Sequence, residues 1–76
     1  MKGLAIGRIV HYVAYGTPKG EFPALEHRAA IITGIISLTG VVSLCVFNPQ
    51  GIFFNEVSYN KDANAGGTWH WPEFVD

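Results

Sequence analysis

The stretch Ala29-Ala30-Ile31-Ile32-Thr33-Gly34-Ile35-Ile36-Ser37-Leu38-Thr39-Gly40-Val41-Val42-Ser43-Leu44-Cys45-Val46-Phe47 decides the fold. It carries no charge, and it reaches the length of a transmembrane helix, about 18 or more apolar residues. Its composition opposes a helix. β-Branched residues crowd it (Ile31, Ile32, Thr33, Ile35, Ile36, Thr39, Val41, Val42, Val46), and Gly34 and Gly40 interrupt it. In its second half Val42, Leu44 and Val46 alternate with Ser43 and Cys45, the period of two that belongs to a strand. The stretch is therefore expected to be a hairpin, residues 29–36 and 41–47, turning at Ser37-Leu38-Thr39-Gly40. A membrane span remains the alternative.

Working outward, Gly7-Arg8-Ile9-Val10-His11-Tyr12-Val13-Ala14-Tyr15 has the content of a strand and stops at the turn cluster Gly16-Thr17-Pro18-Lys19-Gly20. Val10, Tyr12 and Ala14 form the face expected to be core; Ile9, His11, Val13 and Tyr15 form the other. Glu21 to His27 reads as an irregular connection, because Pro23 denies it a continuous ladder. Asn48-Pro49-Gln50-Gly51 is a type I turn signal. It leads into a strand over residues 52–57, then a polar loop from Ser58 to Gly67, then a last strand over residues 68–72. No internal repeat interrupts this order. About five short strands and no amphipathic helix predict a single all-β domain over residues 1–76, a small bent sheet or barrel of SH3-like or OB-like kind. In the SH3-like alternative the first and last strands lie together, which brings His11 and Tyr15 near Trp69 and His70.

The chain has 76 residues, so its core is small and needs support from elsewhere. Cys45 is the only cysteine, which excludes an internal disulfide. Three scattered histidines (His11, His27, His70) show no ligand-pair spacing, so no metal and no cofactor is expected. Hydrophobic residues make up 49% and charged residues 14%, against roughly 25% charged in an average soluble domain. Self-association is the support this composition predicts. A formal net charge of -1 without a Lys/Arg cluster argues against a nucleic acid polymer as partner, though not against a single nucleotide. No signal peptide is evident at Met1 to Gly7, and the expected compartment is a reducing cytoplasm.

Candidate chemistry concentrates in Gly66-Gly67-Thr68-Trp69-His70-Trp71-Pro72-Glu73, where Trp69 and Trp71 share one strand face and Thr68 and His70 the other. Exposed indoles stack bases, at about 1–3 kcal/mol each in single-strand binders; the competing reading puts at least one of them in the core. Gly66-Gly67 permits close backbone approach or supplies a positive φ at a turn. Arg28, before the apolar strand, has the fork that binds phosphate or carboxylate. Asn48 and Asn55 either read a ligand edge or hold the turn. Tyr12, Tyr15, Phe53 and Phe54 read as core and subunit contacts, Tyr15 doubling as a site candidate. His11 and His70 would pair across terminal strands, but no third ligand has a credible spacing and no Ser or Cys sits in a nucleophile motif. The expected ligand-binding residues are thus Trp69, His70, Trp71, His11, Tyr15, Arg28, Asn48 and Asn55, with no catalytic residue.

Gly7-Arg8-Ile9-Val10-His11-Tyr12-Val13, Tyr15-Gly16-Thr17-Pro18, Arg28-Ala29-Ala30-Ile31, Asn48-Pro49-Gln50-Gly51-Ile52-Phe53-Phe54-Asn55 and Gly66 to Glu73 together resemble a group of small uncharacterised proteins of actinobacterial phages and their hosts. The resemblance implies a phage or mobile-element origin and no biochemical activity. The chain departs from that group where His27 stands in place of a cysteine, and in and after Thr33-Gly34-Ile35, where charged residues are expected. These departures make the hairpin unusually apolar.

The functional expectation is a non-enzymatic, oligomeric binding protein in the bacterial host's cytoplasm, taking a small nucleotide-like ligand and sequestering a nucleotide immune signal. The rival expectation is a virion component or an interaction module that blocks a host partner.

Overall fold

The computed structural model describes residues 1–16, 25–49 and 51–72. Five strands run through them: β1 (Ile9–Val13), β2 (His27–Ser37), β3 (Val41–Asn48), β4 (Gly51–Tyr59) and β5 (Thr68–His70). β1 to β4 form an antiparallel meander, and β5 closes the barrel by pairing antiparallel with β1 and parallel with β4. Chain-order strands with the first and last paired follow the SH3-like alternative, not the Greek key of an OB barrel.

The decisive stretch is a β2–β3 hairpin turning at Leu38–Gly40, and the membrane-helix alternative falls because these residues are strands. Among the described residues no helix is long and apolar enough to cross a membrane. β1 is shorter than expected at both ends, yet its ladder continues: Gly7 N donates to Ile32 O at 2.7 Å and Ala14 N to Glu26 O at 2.9 Å. β5 is also shorter, ending at His70 with Trp71 and Pro72 outside it. Gln50 of the expected turn, and the Thr17–Ala24 part of the first turn cluster and its connection, lie outside the described residues. Asn48 and Gly51 pair at the end of the β3–β4 ladder.

β2 changes face midway. Arg28, Ala30 and Ile32 point inward, and then Ile35 takes the inward position opposite Val42. The register slips between Ile32 and Gly34 and again between Ile35 and Ser37, two extra residues that bend a strand too long to lie flat on a small barrel. Thr33 Oγ1 donates to Ser43 O at 3.2 Å across the first slip.

The core is Val10, Tyr12, Ala30, Ile32, Val42, Leu44, Val46, Val57 and Trp69. The face of β1 expected to be core is core, while Ile9 and Tyr15 are exposed; Val13, on the same side, is nevertheless fully buried. Trp69 corrects a site expectation: it is 0% exposed, an interior residue and no stacking platform. A three-residue strand puts its middle residue inward, and the indole there fills the barrel. Its Nε1 donates to Gly40 O at 2.7 Å, which ties β5 to the β2–β3 turn. Gly40 has φ +116°, and a Cβ there would meet Met1 Cε and Tyr59 Cβ at 2.8 Å, so the turn requires glycine.

Removing a buried Trp or Phe side chain costs about 3–5 kcal/mol. At about 0.05–0.15 kcal/mol per residue, so short a chain has about 4–11 kcal/mol in all, and that loss is a large share of it. Trp69→Ala is therefore expected to lose the cooperative thermal transition seen by circular dichroism, whereas Trp71→Ala keeps one. A native-like melt for Trp69→Ala would show that the indole is not the keystone of the core.

Candidate functional site

The barrel interior changes character along its length. Towards the Trp69 end it is aliphatic and aromatic; at the other end, where β1 and β3 finish and β2 and β4 begin, polar side chains face inward. Alternation sets this. Tyr12 on β1 stands opposite Arg28 on β2, and on β4 Phe53, Asn55 and Val57 occupy alternate positions that end in the core. These groups surround a cavity of about 220 Å³ lined by Tyr12, Ala14, Tyr15, Gly16, Arg28, Asn48, Phe53 and Asn55. Barrel mouths are common ligand sites, and drug-sized pockets run from about 300 to 1,000 Å³. This one is scaled to one ring system or one anionic group.

Arg28 dominates the cavity's electrostatics. Its side chain is 7% exposed, and a buried guanidinium is costly unless its donors are matched. Nη1 donates to Glu26 Oε1 at 2.5 Å, whereas Nε is buried with no hydrogen-bond partner among the described residues. The hydrogen bond from Arg28, more than its charge, holds the Glu26 carboxyl below its ordinary value. Tyr12 meets Phe53 edge to face at 5.5 Å. Burial pushes the Tyr12 hydroxyl up, a side-chain hydrogen bond with Asn55 pulls partly against it, and the phenol stays protonated at neutral pH. Aromatic walls, amide groups and a guanidinium whose Nε has no partner among the described residues thus line one cavity. Among the described lining residues there is no Ser, Thr, Cys or His.

The eight expected site residues fall into two groups. Tyr15, Arg28, Asn48 and Asn55 converge on the cavity. Trp69, His70, Trp71 and His11 do not line it. Trp71 packs edge to face on Trp69 at 5.0 Å, and the Arg8 guanidinium lies 5.1 Å from a Trp71 ring centre, so this indole is a buttress of the core. His70 is buried, across from His11 in the β1–β5 register. Gly66 and Gly67 approach a side chain of this chain: a Cβ on Gly67, at φ +76°, would sit 2.1 Å from the Tyr15 ring. These glycines seat Tyr15 at the cavity's edge.

Two things escaped the sequence. Tyr12 and Phe53 read as core and subunit contacts, but inward parity on β1 and β4 also places them at the mouth. The missing third imidazole is His27. It faces the same side as His11 because it pairs with Val13, two residues along β1, and its ring centre is 4.7 Å from that of His70. The expectation that no third ligand stands near His11 and His70 is thus corrected by strand register, not by sequence spacing.

A carboxyl whose folded value is lowered adds stability above its unfolded value and loses it as pH falls through the folded one. Glu26 is expected to titrate below 4.5 in the folded protein by side-chain carboxyl NMR. Between those two values the wild type should lose stability that Glu26→Gln lacks at every pH; a midpoint at or above 4.5 would dissolve the pairing with Arg28. No family model, curated protein or solved structure matches the chain.

Proposed function

We propose that this chain is a non-enzymatic, homo-oligomeric binding protein of phage or mobile-element origin. It takes a small polar-aromatic ligand of nucleotide type in the barrel mouth. The observation that carries this reading is Arg28: a guanidinium nine-tenths buried at a cavity wall, held on one side by Glu26 and with Nε unpartnered among the described residues. An incoming phosphate or carboxylate supplies the missing acceptor and competes with Glu26 for the fork. Tyr12, Phe53 and Tyr15 offer ring contact to a base, and Asn48 and Asn55 offer donor and acceptor pairs to its edge. The cavity holds only one such group, so the rest of a nucleotide lies outside it. The phage origin rests on the motif resemblance, and with it the role of sequestering a nucleotide immune signal in the host cytoplasm.

A second observation supports oligomerisation. The ladder aligns Ile9, Ile31, Cys45 and Phe54 in one outward row across β1, β2, β3 and β4, with the pair Phe47 and Ile52 beside it. Ile9, Phe47, Ile52 and Phe54 are exposed. A contiguous apolar band on a chain so poor in charge is suited to covering by a second copy. The same band would serve the rival reading, an interaction module that blocks a host protein.

A thermal-shift screen against mono-, di- and cyclic nucleotides tests the pocket. A ligand at about a hundred times its dissociation constant stabilises the native state by about 2.7 kcal/mol, and each kcal/mol moves the melting temperature of so small a domain by about 4–8 °C. The shift should disappear in Tyr15→Ala and Arg28→Lys, of which Tyr15→Ala disturbs no core residue. A wild type that shifts with none of them, or a shift that survives both substitutions, refutes the pocket.

Sedimentation equilibrium tests the band. Phe54→Glu is expected to reduce the oligomer to monomers while keeping the wild-type circular dichroism spectrum. An unchanged mass would place the subunit contact elsewhere, and a monomeric wild type would favour the partner-blocking module.

A further inference from the structure

We propose that His11, His27 and His70 form a binding site for a divalent transition-metal ion of the zinc class. The three histidines stand on three adjacent strands, β1, β2 and β5, and are all the histidines of the chain. His11 is directly across from His70, and His27 is the diagonal neighbour of His11 through its pairing with Val13. The ring centres are 5.6 Å apart for His11 and His70, 4.7 Å for His27 and His70, and 6.2 Å for His11 and His27. One nitrogen from each ring can be chosen so that all three lie within 4.8 Å of one another.

The geometry is close to what a metal requires. With zinc–nitrogen bonds of about 2.0–2.1 Å in a tetrahedron, ligand nitrogens stand about 3.3 Å apart. The imidazoles therefore need to draw together by no more than about 1.5 Å, a movement that the broad χ2 wells of histidine allow without a change of backbone. The donor set also selects the ion. Imidazole suits zinc, copper, nickel and cobalt, and among the described residues the cluster includes no carboxylate that would favour calcium or magnesium. Burial falls from His70 through His11 to exposed His27, so an ion would reach the cluster from the His27 side.

The position in the fold gives the site a purpose. β5 is a three-residue strand, and its pairing with β1 is the seam at which the barrel closes. A metal held by β2, β1 and β5 together crosses that seam, and metals are among the supports that let very small domains fold. This site is independent of the ligand pocket: Tyr12 and Arg28 face the barrel interior, whereas His11 and His27 alternate with them on the outside. The nucleotide screen can be run with chelator present, so either reading can fail alone.

The test uses the untagged chain stripped with a chelator and titrated with Zn²⁺ or Co²⁺. Expected are one equivalent bound by calorimetry, visible d–d bands of four-coordinate Co²⁺, and a melting temperature that rises with Zn²⁺ and returns with chelator. His27→Ala, which removes an exposed side chain, and His11→Gln should each weaken binding by at least about tenfold, the loss seen even when only a neighbour of a ligand is changed. Absence of saturable binding up to millimolar ion overturns the site. So does binding that persists unchanged in His27→Ala, or a melting temperature that Zn²⁺ lowers.

Discussion

The closure of the barrel by Trp69 is the constraint on which the other features depend. β5 has three residues, too few for ladder hydrogen bonds alone to hold it, and in its register with β4 only Ser58 and Tyr59 are paired. What fixes it is the indole. Trp69 is fully buried, packs on Tyr59 at 5.0 Å and reaches across the barrel to the Gly40 carbonyl. A buried carbonyl with no partner is expensive, so the hydrogen bond and the packing reinforce each other. With β5 in place β1 has a neighbour on each side, and only then do His70 and His11 face each other and Tyr12 turn inward towards Arg28.

From that closure, strand alternation distributes chemistry to two sides of the same two strands. Neighbouring residues in sequence serve different environments: Tyr12 and Arg28 face the interior, His11 and His27 the outside. The interior position of Arg28 is the costly one, since a guanidinium taken from water must recover its solvation from fixed partners. Glu26 recovers part of it from an exposed position, where solvent screens the pair and limits its worth. The residual demand at Nε is what distinguishes this wall from an ordinary ion pair. Replacing such a pair by apolar residues of similar volume is often neutral or stabilising, and on that excess polarity the proposed binding role rests.

Much of the architecture was legible because its signals are local. The Ala29–Phe47 hairpin followed from β-branched content, two glycines and the alternation of Val42, Leu44 and Val46, and the core face of β1 followed from parity. Tyr15, Arg28, Asn48 and Asn55 were singled out by residue type and do line one cavity, but Tyr15 was grouped with Trp69 and His70, which do not line it. The rest was hidden because it depends on register between distant segments. Nothing between residues 14 and 26 states which residue of β2 will stand opposite Val13, so His27 could not be joined to His11 and His70. Trp69 was misjudged as a possible platform because a motif rich in aromatic residues looks the same whether presented or buried. What separates the two is whether the rest of the chain fills the barrel, and its other interior residues, mostly Val, Ala and Ile, leave room for an indole.

That shortage of interior volume links the remaining features. A barrel built mainly from valine, alanine and isoleucine has little apolar area to bury, and this one spends part of its interior on Arg28 and Asn55. Small domains with such a deficit commonly draw support from outside the core. The structure offers two places where this can happen. One is the outward row from Ile9 to Phe54, apolar where an isolated surface would carry charge; the other is the imidazole cluster astride the β1–β5 seam. They overlap on β1 and β2 and differ beyond them: the row continues to β3 and β4 and leaves β5 out, while the cluster reaches β5. Covering the row stabilises the meander without securing its closure, and a metal at the cluster secures the closure without burying the meander's outer face. The two supports are complementary, and the weakest strand of the fold is the one that only the second of them reaches.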